Sequence, residues 1–202
     1  MISGIVGILR SSQPINLVST CRALQAGGIS RLEITLNTPR ALEGVSEVRA
    51  ELPSVTIGAG TILRPEDAEG AIAAGAQFIV TPTLQPETVS LCRDKGVPIL
   101  CGAMTPTEIL AAHEAGADYV KLFPAGALGL DYIKTVLGPL PFVRFVPTGG
   151  VSLQNIGAFL DLCPAVGVGG NLVDVGLISA GRWDVLEERA RQFLRAAAGE
   201  RL

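Results

Sequence analysis

The chain has 202 residues with a formal net charge of -3, of which 48% are apolar and 17% charged. That length suits one domain over residues 1–202, and the apolar share supplies a core and excludes wholesale disorder. A slight acidity excludes a non-specific nucleic-acid binder, no apolar run approaches the ~18 residues of a membrane span, and the N-terminal MISGIVGILR lacks the basic stretch of a secretory signal.

In chain order, short apolar runs alternate with longer amphipathic ones. Residues 4–10 form a strand and 16–26 a helix stopped by Gly27-Gly28. Strand 31–36 precedes a helix over 39–51 with proline at its start. Strand 55–61 precedes helix 65–74, strand 78–82 precedes helix 86–95, and strand 97–103 precedes a helix over 106–115. Strand 119–124 precedes a helix over 131–137, strand 143–149 a short helix over 153–162, and strand 165–170 the last helix, 183–198. These are eight strand-then-helix units of about 25 residues each. Strands apolar on both faces belong to a covered parallel sheet, and strict alternation means α/β. A count of eight favours a closed (β/α)8 barrel, at the short end of its ~200 to 400 residue range.

Scarce residues narrow the chemistry. His113 is the only histidine, so a site built on two or three imidazoles from one chain is excluded. Cys21, Cys92, Cys101 and Cys163 contain no C-x-x-C pair and read as buried thiols in a reducing compartment, hence a cytoplasmic location. Against thirteen arginines there are three lysines, Lys95, Lys121 and Lys134.

In parallel barrels function collects at the C-terminal strand ends. In Arg31-Leu32-Glu33-Ile34-Thr35-Leu36 the alternation turns Leu32, Ile34 and Leu36 to the helices and Arg31, Glu33 and Thr35 inward. In Tyr119-Val120-Lys121-Leu122-Phe123-Pro124 the same parity points Lys121 into the barrel between Tyr119 and Phe123. Burial disfavours a charged amine and makes it a nucleophile toward carbonyls, forming a Schiff base. A carboxylate beside it moves protons, or simply pairs with it as a structural Lys121–Glu33 bridge. Thr148-Gly149-Gly150 ends strand seven and Gly167-Val168-Gly169-Gly170-Asn171 ends strand eight, where many barrels bind phosphate on backbone N–H groups. Gly58-Ala59-Gly60-Thr61 ends strand three and carries less information, since glycines also serve tight turns.

At Leu32-Glu33-Ile34-Thr35-Leu36, Gly58-Ala59-Gly60-Thr61, Gly75-Ala76-Gln77-Phe78-Ile79-Val80, Lys121-Leu122-Phe123-Pro124-Ala125 and Arg144-Phe145-Val146-Pro147-Thr148-Gly149-Gly150 the sequence resembles the 2-keto-3-deoxy-6-phosphogluconate (KDPG) aldolase and 4-hydroxy-2-oxoglutarate aldolase family. The resemblance implies a class I aldolase on a homotrimeric TIM barrel, acting on a phosphorylated keto acid, releasing pyruvate and needing no cofactor or metal. Lys121 matches the Schiff-base lysine and Glu33 the glutamate that acts through a water. Thr61 matches the threonine near the pyruvate carboxylate, and Pro82 and Phe123 match residues packing around the imine. Thr148, Gly149, Gly150, Gly169 and Gly170 match the contacts to the phosphate and sugar end. Two positions depart from the pattern. Asn37 stands where arginine commonly holds the carboxylate, a task Arg10 can take over, and Asn171 stands where serine commonly flanks the phosphate. Asn37 resembles the related phosphogalactonate aldolases, whereas Thr148 resembles the phosphogluconate enzymes, and the gluconate-derived epimer is the expected substrate. A phosphogalactonate aldolase and a non-catalytic phosphometabolite-binding barrel are the alternative readings.

Overall fold

A computed structural model describes residues 1–200; the last two positions of the expected domain lie outside them. The elements run β1 (Gly4–Leu9), α1 (Leu17–Ala26), β2 (Arg31–Thr35), α2 (Ala41–Glu51), β3 (Thr56–Gly60), α3 (Pro65–Ala73), β4 (Ile79–Val80), α4 (Pro86–Asp94) and β5 (Ile99–Ala103). Then follow α5 (Pro106–Glu114), β6 (Tyr119–Leu122), α6 (Ala125–Leu137), β7 (Phe145–Pro147), α7 (Ile156–Leu160), β8 (Ala165–Val168), α8 (Val175–Ser179) and α9 (Trp183–Ala197). The strands form one parallel sheet in the order β7-β6-β5-β4-β3-β2-β1-β8, and a bridge between Thr148 and Gly167 joins its two margins. This is the (β/α)8 TIM barrel the alternation implies.

Three local features differ from expectation. α6 begins at Ala125 rather than 131, and Gly129 (φ 76°, ψ 176°) breaks it into two pieces, so its first turn carries no continuous helical period. α2 starts after Arg40, which holds a left-handed φ of 59°, and Pro39 therefore lies in the turn before the helix. The five-residue α8 was not expected; the Asp174 side chain accepts from the Leu177 N–H and starts it.

Apolar side chains pack in two shells. The outer shell fills the space between sheet and helices, with Leu32, Ile34, Val120 and Leu122 buried there as parity requires. The inner shell comprises Ile2, Val6, Phe78, Val80, Leu100, Tyr119, Val146 and Ala165. Helix ends follow local chemistry: Asn16 caps α1 by accepting from the Ser19 N–H, and Thr105 and Glu108 form a capping box at α5. The four cysteines are buried, and burial pushes the thiols of Cys21 and Cys163 up to about 12 and that of Cys92 to about 11. Such thiols are inert at neutral pH. Among the described residues no helix is long and apolar enough to cross a membrane.

Candidate active site

β2 and β6 deliver Glu33 and Lys121 into the barrel, where the side chains are 1% and 3% exposed. Burial holds the Lys121 amine well below the ordinary lysine range; the Glu33 charge opposes the shift and the Arg10 charge adds to it. Burial likewise holds Glu33 above the ordinary carboxylate range, with Lys121 and Arg10 pulling it back. The structural bridge considered from the sequence is not formed. The ion pairs among the described residues all engage other, solvent-accessible side chains, and Glu33 Oε1 has no hydrogen-bond partner. Two buried ionisable groups that do not pair both favour their neutral forms. The Lys121 Nζ sits 5.5 Å from the centroid of the Phe123 ring, which is itself 42% exposed at the strand's C-terminal end.

Arg10, just past β1, reaches Thr61, just past β3, with a guanidinium-to-hydroxyl hydrogen bond of 3.2 Å. Thr61 adopts a φ of 59°, a costly conformation for a β-branched residue and one that tends to occur at functional sites. Asn37 is exposed in the turn after β2. Pro82 follows β4 in a segment fixed by Thr81, whose hydroxyl donates to the Thr83 carbonyl (2.8 Å) and accepts from the Gly102 N–H (3.0 Å). Pro82 comes so close to β5 that a Cβ on Gly102 would lie 2.2 Å from its carbonyl carbon. Sequence reasoning missed Thr81 and Gly102. It missed Thr38 as well, whose hydroxyl lies 3.1 Å from that of Thr35 and accepts from the Ser11 N–H, next to Arg10. The available signal was threonine in otherwise apolar strand ends.

After β7 and β8, Gly149, Gly150, Val151, Gly167, Gly169, Gly170 and Asn171 line a cleft of about 260 Å³. Gly149 and Gly150 have φ near +81° and +80°, open to glycine without strain. The N–H groups of Gly149, Gly150, Gly170 and Asn171 donate to no backbone carbonyl among the described residues. The Asn171 side-chain amide donates to the Val151 carbonyl (2.7 Å), so it braces the cleft from within. Thr148 stands deeper, 5% exposed, its hydroxyl 3.2 Å from the Val146 carbonyl. Among the described residues no cluster of three or more His, Cys, Asp and Glu side chains converges as metal ligands. His113 is exposed against the Phe142 ring.

This geometry combines a neutral-favouring amine, an unpaired carboxyl group, a cation and hydroxyl at one rim, and a glycine-lined cleft at another. Comparison with known proteins agrees with it. The family model for the KDPG and KHG aldolases matches residues 2–188. The 2-dehydro-3-deoxy-phosphogluconate aldolase of Pseudomonas aeruginosa is 36% identical over 199 residues, covering 98% of this chain and 90% of that protein. A solved structure of native KDPGal is 31% identical with a TM-score of 0.88, covering 96% of this chain and 94% of the other. The KDPG aldolase of Legionella pneumophila, solved with pyruvate captured at low pH as a covalent carbinolamine intermediate, is 29% identical with a TM-score of 0.85, covering 94% and 93%. On the matched model and the identity over nearly its whole length, the chain belongs to the KDPG and KHG aldolase family.

Proposed function

We propose that this enzyme is a class I aldolase that cleaves KDPG to pyruvate and D-glyceraldehyde 3-phosphate, with 4-hydroxy-2-oxoglutarate as a further substrate. One observation carries the reading: Lys121 and Glu33 are buried together inside the barrel and neither is spent on the other. Burial that lowers the ionisation of this amine favours its neutral form, the one that attacks a carbonyl.

The neutral amine of Lys121 adds to C2 of the keto acid to give a carbinolamine, the kind of intermediate captured with pyruvate in the Legionella structure. The protonated Glu33 supplies, through a water, the proton with which the hydroxyl leaves as water, which gives a protonated imine and a carboxylate. Glu33, acting through a water, takes the proton of the C4 hydroxyl. The electrons of the C3–C4 bond move to the imine nitrogen, and D-glyceraldehyde 3-phosphate leaves. Glu33 passes that proton on to C3 of the enamine, water adds to C2 with its proton returning to Glu33, and collapse of the carbinolamine expels the Lys121 amine and releases pyruvate. The imine is the electron sink, so the steps need no metal or organic cofactor.

Arg10 and Thr61 hold the substrate carboxylate, with Asn37 at the same rim, and Pro82 and Phe123 pack about the imine. The phosphate sits against the N–H groups of Gly149, Gly150, Gly169, Gly170 and Asn171. The same reading makes residues 1–202 one catalytic domain, working as a homotrimer in the cytoplasm. Borohydride reduction with pyruvate, followed by peptide mass spectrometry, tests it: the stable adduct is expected on Lys121, and an adduct on Lys95 or Lys134, or none, overturns it. Thr148 lies near strand seven, where a hydroxyl meets the C4 end that differs between epimers. One such bond contributes roughly 0.5–1.5 kcal/mol, so kcat/KM is expected to favour the gluconate epimer over the galactonate one by about tenfold or less.

A further inference from the structure

Strand β3 sends no side chain into the barrel at Gly58 or Gly60, and each gap is occupied by a different neighbour. A Cβ on Gly58 would meet the Phe78 ring at 2.4 Å, inside the apolar inner shell. A Cβ on Gly60 would lie 1.7 Å from Glu33 Oε1, 2.4 Å from its Cδ and 2.8 Å from its Cγ. The β2–β3 register pairs Glu33 with Gly58 and Thr35 with Gly60, so Gly60 is the diagonal neighbour of Glu33 on the inner face. The carboxyl group therefore fills the volume that any side chain at position 60 would take. Its Oε1 has no hydrogen bond to hold it there. Packing against the bare backbone of β3 is what fixes this end of the side chain.

We propose that Gly60 is a positioning residue for aldol cleavage: by lacking a side chain it sets where the Glu33 carboxylate stands relative to Lys121. The inference rests on the proton-carrying role given to Glu33 above. A methyl group at position 60 must push the carboxylate aside while leaving the Lys121 amine and both rims of the site in place. It should separate imine formation from bond cleavage.

The test is Gly60→Ala, alone and combined with Glu33→Ala, alongside Glu33→Gln. In Gly60→Ala, kcat for KDPG cleavage is expected to fall by about 10² or more while KM stays within about threefold and pyruvate is still trapped on Lys121 by borohydride. In the Glu33→Ala background the same substitution should change the residual kcat by less than about threefold, because the group it displaces is gone. A normal kcat in Gly60→Ala, or an undiminished penalty in the Glu33→Ala background, overturns the proposal. If Gly60→Ala alone does not fold, the double variant must fold and trap pyruvate, and failure of both also overturns it. A slow Glu33→Gln with a normal Gly60→Ala removes only the role of Gly60. A Glu33→Gln that cleaves normally removes the role of Glu33 and this inference with it.

Discussion

The barrel interior contains two layers built on opposite principles. Toward the N-terminal strand ends, Ile2, Val6, Phe78, Leu100 and Tyr119 pack as an apolar plug, and its one side-chain polar atom accepts two hydrogen bonds. The Tyr119 hydroxyl accepts from the Ile2 N–H (2.8 Å) and from Arg144 (2.9 Å), and that guanidinium lies 4.3 Å over its ring. Toward the C-terminal ends the same strands bury Lys121 and Glu33 without pairing them. The lower layer is satisfied packing, and the upper layer holds two desolvated ionisable groups that packing alone does not need. Parity alone gives a residue its direction, while its height along the strand decides whether it meets the apolar plug or the open C-terminal end of the barrel.

The largest separation of the layers is expected at Lys121. Lys121→Met should abolish cleavage and pyruvate trapping, yet raise stability by about 0.5–2 kcal/mol, because an apolar side chain replaces an amine that burial penalises. The sign follows from linkage. In the folded state this amine ionises below its unfolded value, so the unfolded chain binds the extra proton at neutral pH. Its cost to stability therefore shrinks as pH rises toward the ordinary lysine range. Calorimetry at two pH values beside an activity assay checks both halves, and a less stable Lys121→Met breaks the comparison. Glu33→Gln should slow cleavage about 10²–10⁴-fold with trapping intact, and cleavage within about threefold of the parent would return Glu33 to a structural role.

The lower layer should respond in the opposite sense. Tyr119→Phe leaves the Ile2 N–H and the Arg144 guanidinium without their acceptor and should cost roughly 1–3 kcal/mol in denaturant unfolding, with kcat within about twofold. A larger loss of kcat would show that the layers are not independent. Beyond the weaker carboxylate binding that its loss brings, Arg10 has the smallest expected effect, a shift of the pH profile. Its charge lowers the ionisation of both Lys121 and Glu33, so Arg10→Gln moves both upward. The neutral amine and the ionised carboxylate then both require more alkaline conditions, and the acid limb of the kcat/KM profile should shift to higher pH. A shift to lower pH would contradict that electrostatic role.

Much of this contrast was legible in the sequence. Strict period-two alternation fixes the direction of Glu33 and Lys121 whatever the details of the helices, and eight repeats of one unit leave few topologies. What stayed hidden depends on contacts distant in sequence. Gly58 and Gly60 read as turn residues, yet both lie in β3, where the Phe78 ring just before β4 and a carboxylate from β2 need their space. The early start of α6 was obscured because Gly129 interrupts its period. For the bracing by Thr35, Thr38 and Thr81 the threonines themselves were the one local signal, since the Leu9 carbonyl and the Ser11 and Gly102 N–H groups they engage lie far away in sequence.

The bridge between Thr148 and Gly167 carries one more consequence. It lies on the join where the first and last strands of the sheet order meet, and the glycine-lined cleft opens over that same join, with Gly149 to Val151 on one margin and Gly167 to Asn171 on the other. A phosphorylated ligand seated there as proposed above would touch both margins and clasp the cylinder at its seam. Amide hydrogen exchange along β7 and β8 should then slow by the factor 1 + [L]/Kd that binding to the native form alone gives.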